Sequence, residues 1–452
     1  MRYAVAAADQ AAGNAAHGEA ARLLERALDA AEAAQGLNDT GRVDLLTRVG
    51  TEHAKAGQAA EALSFLDHAA ERARVIGSAE QLAEAVLART TYAWTFEADT
   101  SERRLIVEAL AAGPTTARTR ARLLAANARM GAFSTEPVAR KRADVEEAIT
   151  AARAVGDPET LGAALMSSVY LGCGPDDLAE RRLLLDELIA AARAANRPDW
   201  EAMRWSFQAS LHLTLGQYEQ AQTAEAQLER VTLHSRDPFA AVAFGEIASR
   251  RACINGDFAE AERHAGEQLA LSQRIGISEP ALATVAGLYL AVWNLQDRYD
   301  DIDELLRAFT VPNDGEWKRL IDLWTASLRA RQGRMHEAAT ALGPAGTPLE
   351  HGRNWGGAVE DATTAIVHLD DPDRAEALLE QLWPYCDLDC TLETIQYRGA
   401  VAHHIGRLLT TCKRNDEAVE QLAKAHDRYT ALGSPPWLAI VERDIALARR
   451  GT

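Results

Sequence analysis

The stretch INGDFAEAERHAGEQLALSQRIG, from Ile254 to Gly276, contains the phrase GDFAEA, which decides the fold because it recurs along the chain. Related phrases are GQAAEA from Gly57, GQYEQA from Gly216, GRMHEA from Gly333 and KRNDEA from Lys413. With weaker echoes included, the phrases begin near positions 15, 57, 98, 135, 174, 216, 256, 296, 333, 370 and 413. Successive starts are therefore 37 to 43 residues apart. A repeat period of this size predicts a stacked array of small structural units.

Each unit has the pattern of two helices joined by the phrase. Before Gly57, the apolar residues Val43, Leu46 and Val49 recur at helical spacing, and a second amphipathic segment follows. We expect the glycine in the tight turn, because glycine tolerates a left-handed backbone. The alanine that ends the phrase is small, which allows the second helix to pack closely on the first. Since one helix pair cannot bury its apolar face alone, the pairs must stack.

The boundaries between units carry helix-end signals. Gly77 is expected to stop a helix, and Ser78 to cap the next one with Gln81 three residues later. In the same way, Asp157 is expected to cap a helix whose first residue is Pro158.

The repeat resembles the tetratricopeptide repeat, a helix–turn–helix unit of about 34 residues. Residues on its usual small and aromatic positions are Gly50, Gly57, Ala62, Ala69, Trp205, Gly406, Ala418 and Ala425. The units here are longer than the standard one. The resemblance implies an all-α fold, a right-handed superhelical α-solenoid of about eleven tetratricopeptide-like helix pairs, as one domain over residues 1–452. The irregular stretches within 309–357 mark a candidate break in the array.

Both ends of the chain resemble a more specific family. YAVAAADQAAGNAAHGEAARLLERALDAAE, from Tyr3, looks like the segment that follows the NTPase module in actinobacterial ATP-binding LuxR-type regulators, a branch of the STAND ATPases. The last repeats, from Gly399 to Arg450, look like those that precede the DNA-binding tail of these regulators. Residues 1–452 contain no G-x-x-x-x-G-K-[ST] motif, and we expect no helix-turn-helix among them, so the chain is either a piece of such a regulator or a stand-alone relative. The resemblance therefore implies only the helical sensor arm, without ATPase or DNA-binding activity.

Charge and composition argue against several classes of function. The 66 acidic and 48 basic residues give a net charge of −18, which does not suit a nucleic-acid partner. No stretch approaches the roughly 18 uninterrupted apolar residues of a membrane span, and the N-terminus is not that of a signal peptide. The five cysteines are thinly spread, which is typical of a reducing cytosol. We therefore expect a cytoplasmic protein without nucleic-acid or membrane partners.

One cluster offers an alternative with metal chemistry. Cys386, Cys390, His403 and Cys412 carry the thiolate and imidazole groups that bind zinc. However, the usual zinc spacing is C-x2-C, not C-x3-C, and buried thiols in a helical array are the simpler interpretation. The sequence thus favours no metal, no cofactor and no catalytic residues, with a groove enzyme built on this cluster as a minor alternative.

The strongest functional prediction concerns the concave groove. In the tetratricopeptide frame the first helix of each pair lines this groove, and the residues that project inward are Glu246, Arg250, Trp293, Asn294, Glu360, His403 and Arg407. The pattern predicts a non-enzymatic sensor or interaction module that binds a protein, a peptide or a small effector, with Arg250 and Trp293 as a clamp. Two alternatives stay open: the tryptophans belong to the helix packing and the charges to a solvated face, or the chain is an adaptor that joins two partners.

Overall fold

The computed structural model describes residues 2–450 except 15, 35, 92–99, 115, 133, 173, 236, 275–277 and 309–314. Within these residues, 23 α-helices and two short strands are present. The helices up to the middle of the chain are α1 (Arg2–Gly13), α2 (His17–Ala33), α3 (Asp39–Lys55), α4 (Ala59–Val75), α5 (Ala79–Thr90), α6 (Ser101–Ala111), α7 (Ala117–Gly131), α8 (Val138–Val155), α9 (Pro158–Leu171), α10 (Leu178–Ala194), α11 (Pro198–Thr214) and α12 (Tyr218–Ser235). The remaining elements are α13 (Pro238–Asn255), α14 (Phe258–Arg274), α15 (Ser278–Leu295), α16 (Tyr299–Ala308), α17 (Gly315–Arg331), α18 (Met335–Leu342), α19 (Trp355–Leu369), α20 (Pro372–Leu382), a 3-10 turn (Trp383–Tyr385), β1 (Asp389–Leu392), β2 (Gln396–Ala400), α21 (Val401–Thr411), α22 (Asn415–Leu432) and α23 (Pro435–Arg450).

The helix-pair prediction is confirmed for the described residues. Helices α1 to α22 form eleven consecutive pairs, and α23 follows the last pair. The phrase starts at 15 and 98 lie outside the described residues. The other phrases lie between the two helices of a pair, and the glycines that begin GQAAEA, GQYEQA, GDFAEA and GRMHEA adopt a left-handed backbone. These φ angles are 75° at Gly57, 68° at Gly216, 85° at Gly256 and 76° at Gly333. Where the phrase lacks glycine, the turn keeps its conformation at Asp297 (56°), Asp370 (48°) and Lys413 (61°). The turn geometry is therefore a property of the repeat and not of glycine alone.

The small residues of the repeat serve close helix packing. A Cβ on Gly50 in α3 would lie 2.5 Å from Cγ of Leu66 in α4. A Cβ on Gly406 in α21 would lie 2.6 Å from Cγ of Leu422 in α22. The same contact thus recurs in the second and the last pair, which is what a structural repeat requires.

The helix-end signals are largely confirmed. The Ser78 side chain accepts a hydrogen bond from the Gln81 amide, although the Gln81 side chain donates to the Thr40 carbonyl and not back to Ser78. Asp157 accepts from the Thr160 amide at 2.9 Å. Pro158 begins α9 as expected.

The chain divides into two compact units. Unit 1 comprises residues 1–171 and 271–280, and unit 2 comprises residues 172–270 and 281–452. Alanine and leucine dominate the buried core of unit 1, whereas the core of unit 2 also contains Trp355, Tyr397, Tyr429 and Trp437. The single domain over 1–452 stays a prediction. Part of the expected break at 309–357 lies outside the described residues, and residues 343–354 connect α18 to α19 without a helix. No helix of the described part of the chain is both long and apolar enough to cross a membrane.

One element of unit 2 was not predicted. Strands β1 and β2 form an antiparallel hairpin in which Leu392 pairs with Gln396. All five residues of β2 are buried. The all-α prediction is confirmed in that helices form the framework, and the hairpin is an insertion between the tenth and eleventh pairs.

Candidate functional site: an inner surface that holds a hairpin

The first helices of several pairs in unit 2 surround the hairpin. Its tip, residues 391–396, contacts α11, α13, α15 and α19. Two glycines allow this approach. A Cβ on Gly356 in α19 would lie 2.4 Å from the carbonyl oxygen of Thr391, and a Cβ on Gly287 in α15 would lie 2.7 Å from Cδ1 of Ile395. The surface formed by these helix faces is called the inner surface below.

Polar side chains of the inner surface bind the main chain of the tip. The Ser210 hydroxyl donates to the carbonyl of Glu393 at 2.6 Å. The Arg250 guanidinium donates to the carbonyl of Thr394 at 3.1 Å and to the Ser210 hydroxyl at 2.5 Å. Arg250 is 1% exposed, and its charge is compensated by Glu225 at 3.1 Å. Two consecutive carbonyls of the hairpin turn are thus hydrogen-bonded by side chains of the inner surface.

The side chains of the tip also have dedicated partners. The Glu393 carboxylate accepts from Arg353 at 2.5 Å, and the Arg353 side chain is only 6% exposed. The Thr394 hydroxyl donates to Glu246 at 2.7 Å. Ile395 packs against the apolar cluster that includes Val285.

Hydrogen bonds and close packing leave little space beside the tip. The Gln396 amide donates to the carbonyl of Gly287. A cavity of about 50 Å³ remains next to Thr391, lined among others by Phe207, Arg353 and Trp355. This volume holds a few water molecules but not a peptide side chain. At this point the tip and the inner surface are therefore closely packed.

Buried carboxylates give the inner surface unusual electrostatics. Burial raises the pKa of Glu246 to about 7, although the hydrogen bond from Thr394 opposes this shift. At the base of the hairpin, the Arg398 guanidinium lies 2.7 Å from Glu360 and 2.6 Å from Asp361. Burial raises the pKa of Asp361, whereas Arg398 holds the pKa of Glu360 below its usual range against the opposing effect of burial.

The base of the hairpin is anchored in the core. The fully buried Asp389 carboxylate accepts from Arg428 at 2.7 Å, from Tyr218 at 2.7 Å and from Tyr397 at 3.0 Å. Burial raises the pKa of Asp389, and Arg428 opposes that shift. The His404 Nε2 atom donates to the carbonyl of Arg398 at 2.9 Å. These contacts anchor the base of the hairpin in the core of unit 2.

Three of the seven residues predicted for the groove contact the hairpin. Glu246 and Arg250 bind Thr394, and Glu360 lies against Arg398. The segment they meet belongs to the chain itself.

The other four predicted groove residues have partners on neighbouring helices. The Trp293 indole donates to Glu262 at 2.8 Å, and the Asn294 carbonyl lies 3.5 Å from the Arg331 guanidinium. His403 lies between the Tyr429 hydroxyl and Asp444, 2.9 Å from each, and Arg407 donates to Thr364 at 3.2 Å. Their role in ligand binding stays a prediction. The clamp of Arg250 and Trp293 receives no support from these contacts, since each has partners of its own.

The candidate zinc ligands Cys386, Cys390, His403 and Cys412 do not lie together in the structure. Cys390 is fully buried in the core, Cys386 and Cys412 are half-buried, and His403 is engaged as described. In the part of the chain that the structure describes, no group of three or more potential metal ligands lies together. The groove enzyme built on this cluster stays an untested alternative.

Sequence reasoning missed Ser210, Arg353 and the whole hairpin. A signal was available, because the segment DCTLETIQY from Asp389 is rich in threonine, isoleucine and tyrosine, which favour strands. No local signal, however, links Ser210 to Glu393, which lies 183 residues further along the chain.

No protein-family model matches the chain, and no curated protein matches it significantly. Among solved structures, the chain is similar to yeast Tom70, with 11% sequence identity and a TM-score of 0.33 over 99% of this chain and 96% of that one. It is also similar to a circular tandem repeat protein with novel repeat topology and enhanced subunit contact surfaces, with 13% identity and a TM-score of 0.15 over 96% and 90% of the two chains. Because both TM-scores are low, the fold assignment rests on this chain's own helix pairs and turns.

Proposed function

We propose that the chain is a non-enzymatic interaction module whose inner surface in unit 2 binds a short segment of a partner protein. One observation carries this proposal: the inner surface already holds such a segment, residues 391–396, through donors aimed at consecutive carbonyls. Ser210 and Arg250 bind the main chain, which every peptide presents. Arg353, Glu246 and the cluster around Val285 bind side chains, which differ between peptides. Main-chain bonds with side-chain pockets are the usual combination in peptide recognition.

A protein segment fits this surface better than a small effector. Small-molecule sites are concave cavities of about 300–1,000 Å³, whereas the cavity beside the tip measures about 50 Å³. The binding groups are instead distributed along α11, α13, α15 and α19, and they contact the turn formed by residues 391–396.

The division into two compact units also supports the adaptor alternative. Each unit has its own apolar core and its own helix pairs. In an adaptor, unit 1 and unit 2 each bind a different partner, and the chain transmits no signal.

The more specific proposal is that this module is the sensor arm of a bacterial LuxR-type regulator. It is supported by the likeness of residues 3–32 and 399–450 to such arms. The gene from which the chain derives decides between the two: a P-loop encoded upstream and a helix-turn-helix downstream support the sensor arm, and their absence supports the adaptor.

Native mass spectrometry of the full chain, purified gently from its source organism, tests the proposed function. We expect a retained protein or peptide partner of defined mass. A photo-crosslinking residue in place of Thr214, on the inner surface, should label that partner. The same residue in place of Thr223, exposed on α12, should not label it. Recovery of the chain without any partner, or equal labelling from both positions, would contradict the proposal.

A further inference from the structure

The turn at the hairpin tip has an unfavourable backbone. The Ile395 amide donates to the Leu392 carbonyl at 3.1 Å, so Glu393 and Thr394 are the central residues of a tight turn. Glu393 has a φ of 46°, in the left-handed region that favours glycine or asparagine. A residue chosen for turn formation alone would be one of these two. Glutamate at this position indicates a role for its side chain.

The side chain of Glu393 lies in a site formed by a buried arginine and a glycine. Its carboxylate pairs with the buried Arg353, and both groups lie against Gly172. A Cβ on Gly172 would come within 2.6 Å of the Glu393 Oε1 atom and within 2.4 Å of Cβ of Arg353. Gly172 thus leaves the space in which this ion pair forms. The site recognises a carboxylate at the end of a two-carbon side chain.

The neighbouring residues of the tip are recognised in sequence. Thr394 donates a hydroxyl to Glu246, and Ile395 fills the apolar cluster with Val285 and Leu288. The inner surface therefore contacts three consecutive side chains of the tip: an acid, a hydroxyl and a branched aliphatic.

We infer that the hairpin tip is an internal occupant of the partner site, and that the partner presents a tight turn with the same three side chains, acid, hydroxyl and branched aliphatic. This inference rests on the proposed function and adds the chemical class of the ligand. The base of the hairpin stays anchored through Asp389, and only residues 391–396 leave the inner surface when the partner binds. The tip thereby regulates access, because a partner must compete with a tethered copy of its own chemistry.

Fluorescence anisotropy with a synthetic peptide tests this inference. The probe is a fluorescein-labelled, disulfide-cyclised peptide with the sequence Thr-Leu-Glu-Thr-Ile-Gln between two terminal cysteines. The proteins are the full chain and a full-length variant, E393G/T394G/I395G, in which the tip lacks its side chains. We expect the variant to bind the probe at least tenfold more tightly than the unaltered chain does. Replacing Glu by Gln in the probe, or R353M in the variant, should each weaken binding at least tenfold.

Controls separate the possible results. R263Q changes an exposed ion pair on α14 and should leave probe binding unchanged. Equal binding of the probe to both proteins would overturn the inference, as would no binding to a variant whose circular dichroism is native. If the triple variant does not fold, E393G takes its place with the same criteria. Should native mass spectrometry find a partner while the probe does not bind, the ligand class is wrong and the proposed function stands. If the probe binds but native mass spectrometry finds no partner, the inner surface recognises this chemistry, but the proposed function is contradicted and with it the inference that a partner presents the three side chains.

Discussion

Two adjacent glycines at the start of α19 allow a matched test of the contact between the inner surface and the hairpin. A Cβ on Gly356 would lie 2.4 Å from the carbonyl oxygen and 2.7 Å from the amide nitrogen of Thr391. A Cβ on Gly357 would have its nearest neighbour, Cδ1 of Leu392, at 3.5 Å, an ordinary contact. Backbone atoms cannot rotate away as a side-chain end can, so G356A must displace the hairpin. Overpacking of this kind costs about 1–3 kcal/mol.

The two substitutions share their other effects. Each replaces glycine by alanine in the first turn of one helix, so the change in helix propensity, at most about 1 kcal/mol, is nearly the same. We therefore expect G356A to be less stable than G357A by about 1–3 kcal/mol in urea unfolding monitored by circular dichroism. Hydrogen exchange should also be faster in residues 389–400 of G356A only. Equal stabilities and equal exchange would refute the contact between the Gly356 backbone and the hairpin.

Three further predictions address the repeat turn, the buried acid and the strained tip. G256V places a β-branched residue at a φ of 85° and should lower the free energy of unfolding by about 1–3 kcal/mol. Hydrogen exchange should then begin in α13 and α14. An unchanged melting temperature would argue against a strained turn. Because the pKa of Glu246 rises from 4.5 to about 7 on folding, its contribution to stability is complete below pH 4.5 and is lost as the pH rises through 7. E246Q should flatten the fall in thermal midpoint over this window, and an unchanged pH profile would contradict the shift. E393G and E393A both remove the carboxylate, but only glycine adopts the left-handed backbone of this turn without strain. We therefore expect E393G to be more stable than E393A by about 1 kcal/mol. If E393A were the more stable variant, the backbone at Glu393 would not be strained.

The sequence predicted the parts of the fold that depend on local interactions. Turn positions such as Gly57 and Gly256 could be located because each turn is specified by a few consecutive residues, and the period near 40 places the others. The close packing of Gly50 and Gly406 on the second helix of their pairs is likewise a contact within one repeat. Even turns without glycine, as at Lys413, were found from the repeat frame.

The hairpin segment that occupies the inner surface could not be predicted from local interactions. Projection onto the first helices indicated that Glu246, Arg250 and Glu360 face inward, but not that the chain itself supplies a segment for them. The hydrogen bond between Arg250 and Thr394 joins residues 144 positions apart, and no repeat pattern specifies such a pairing. The hairpin is moreover an insertion in the array, so it has no counterpart in other repeats from which it could be inferred.

An engineered disulfide between α11 and the tip measures most directly whether the inner surface holds this segment. The hydroxyls of Thr214 and Thr391, 177 residues apart in sequence, lie 2.9 Å from each other. In a chain whose five native cysteines are replaced, T214C/T391C should form the disulfide nearly completely under mild oxidation in native buffer, and not in concentrated urea. The matched pair T223C/T391C, with one cysteine exposed on α12, should stay reduced. Two free thiols in natively folded T214C/T391C, determined by mass spectrometry after alkylation, would contradict the placement of the hairpin and, with it, the proposed peptide site.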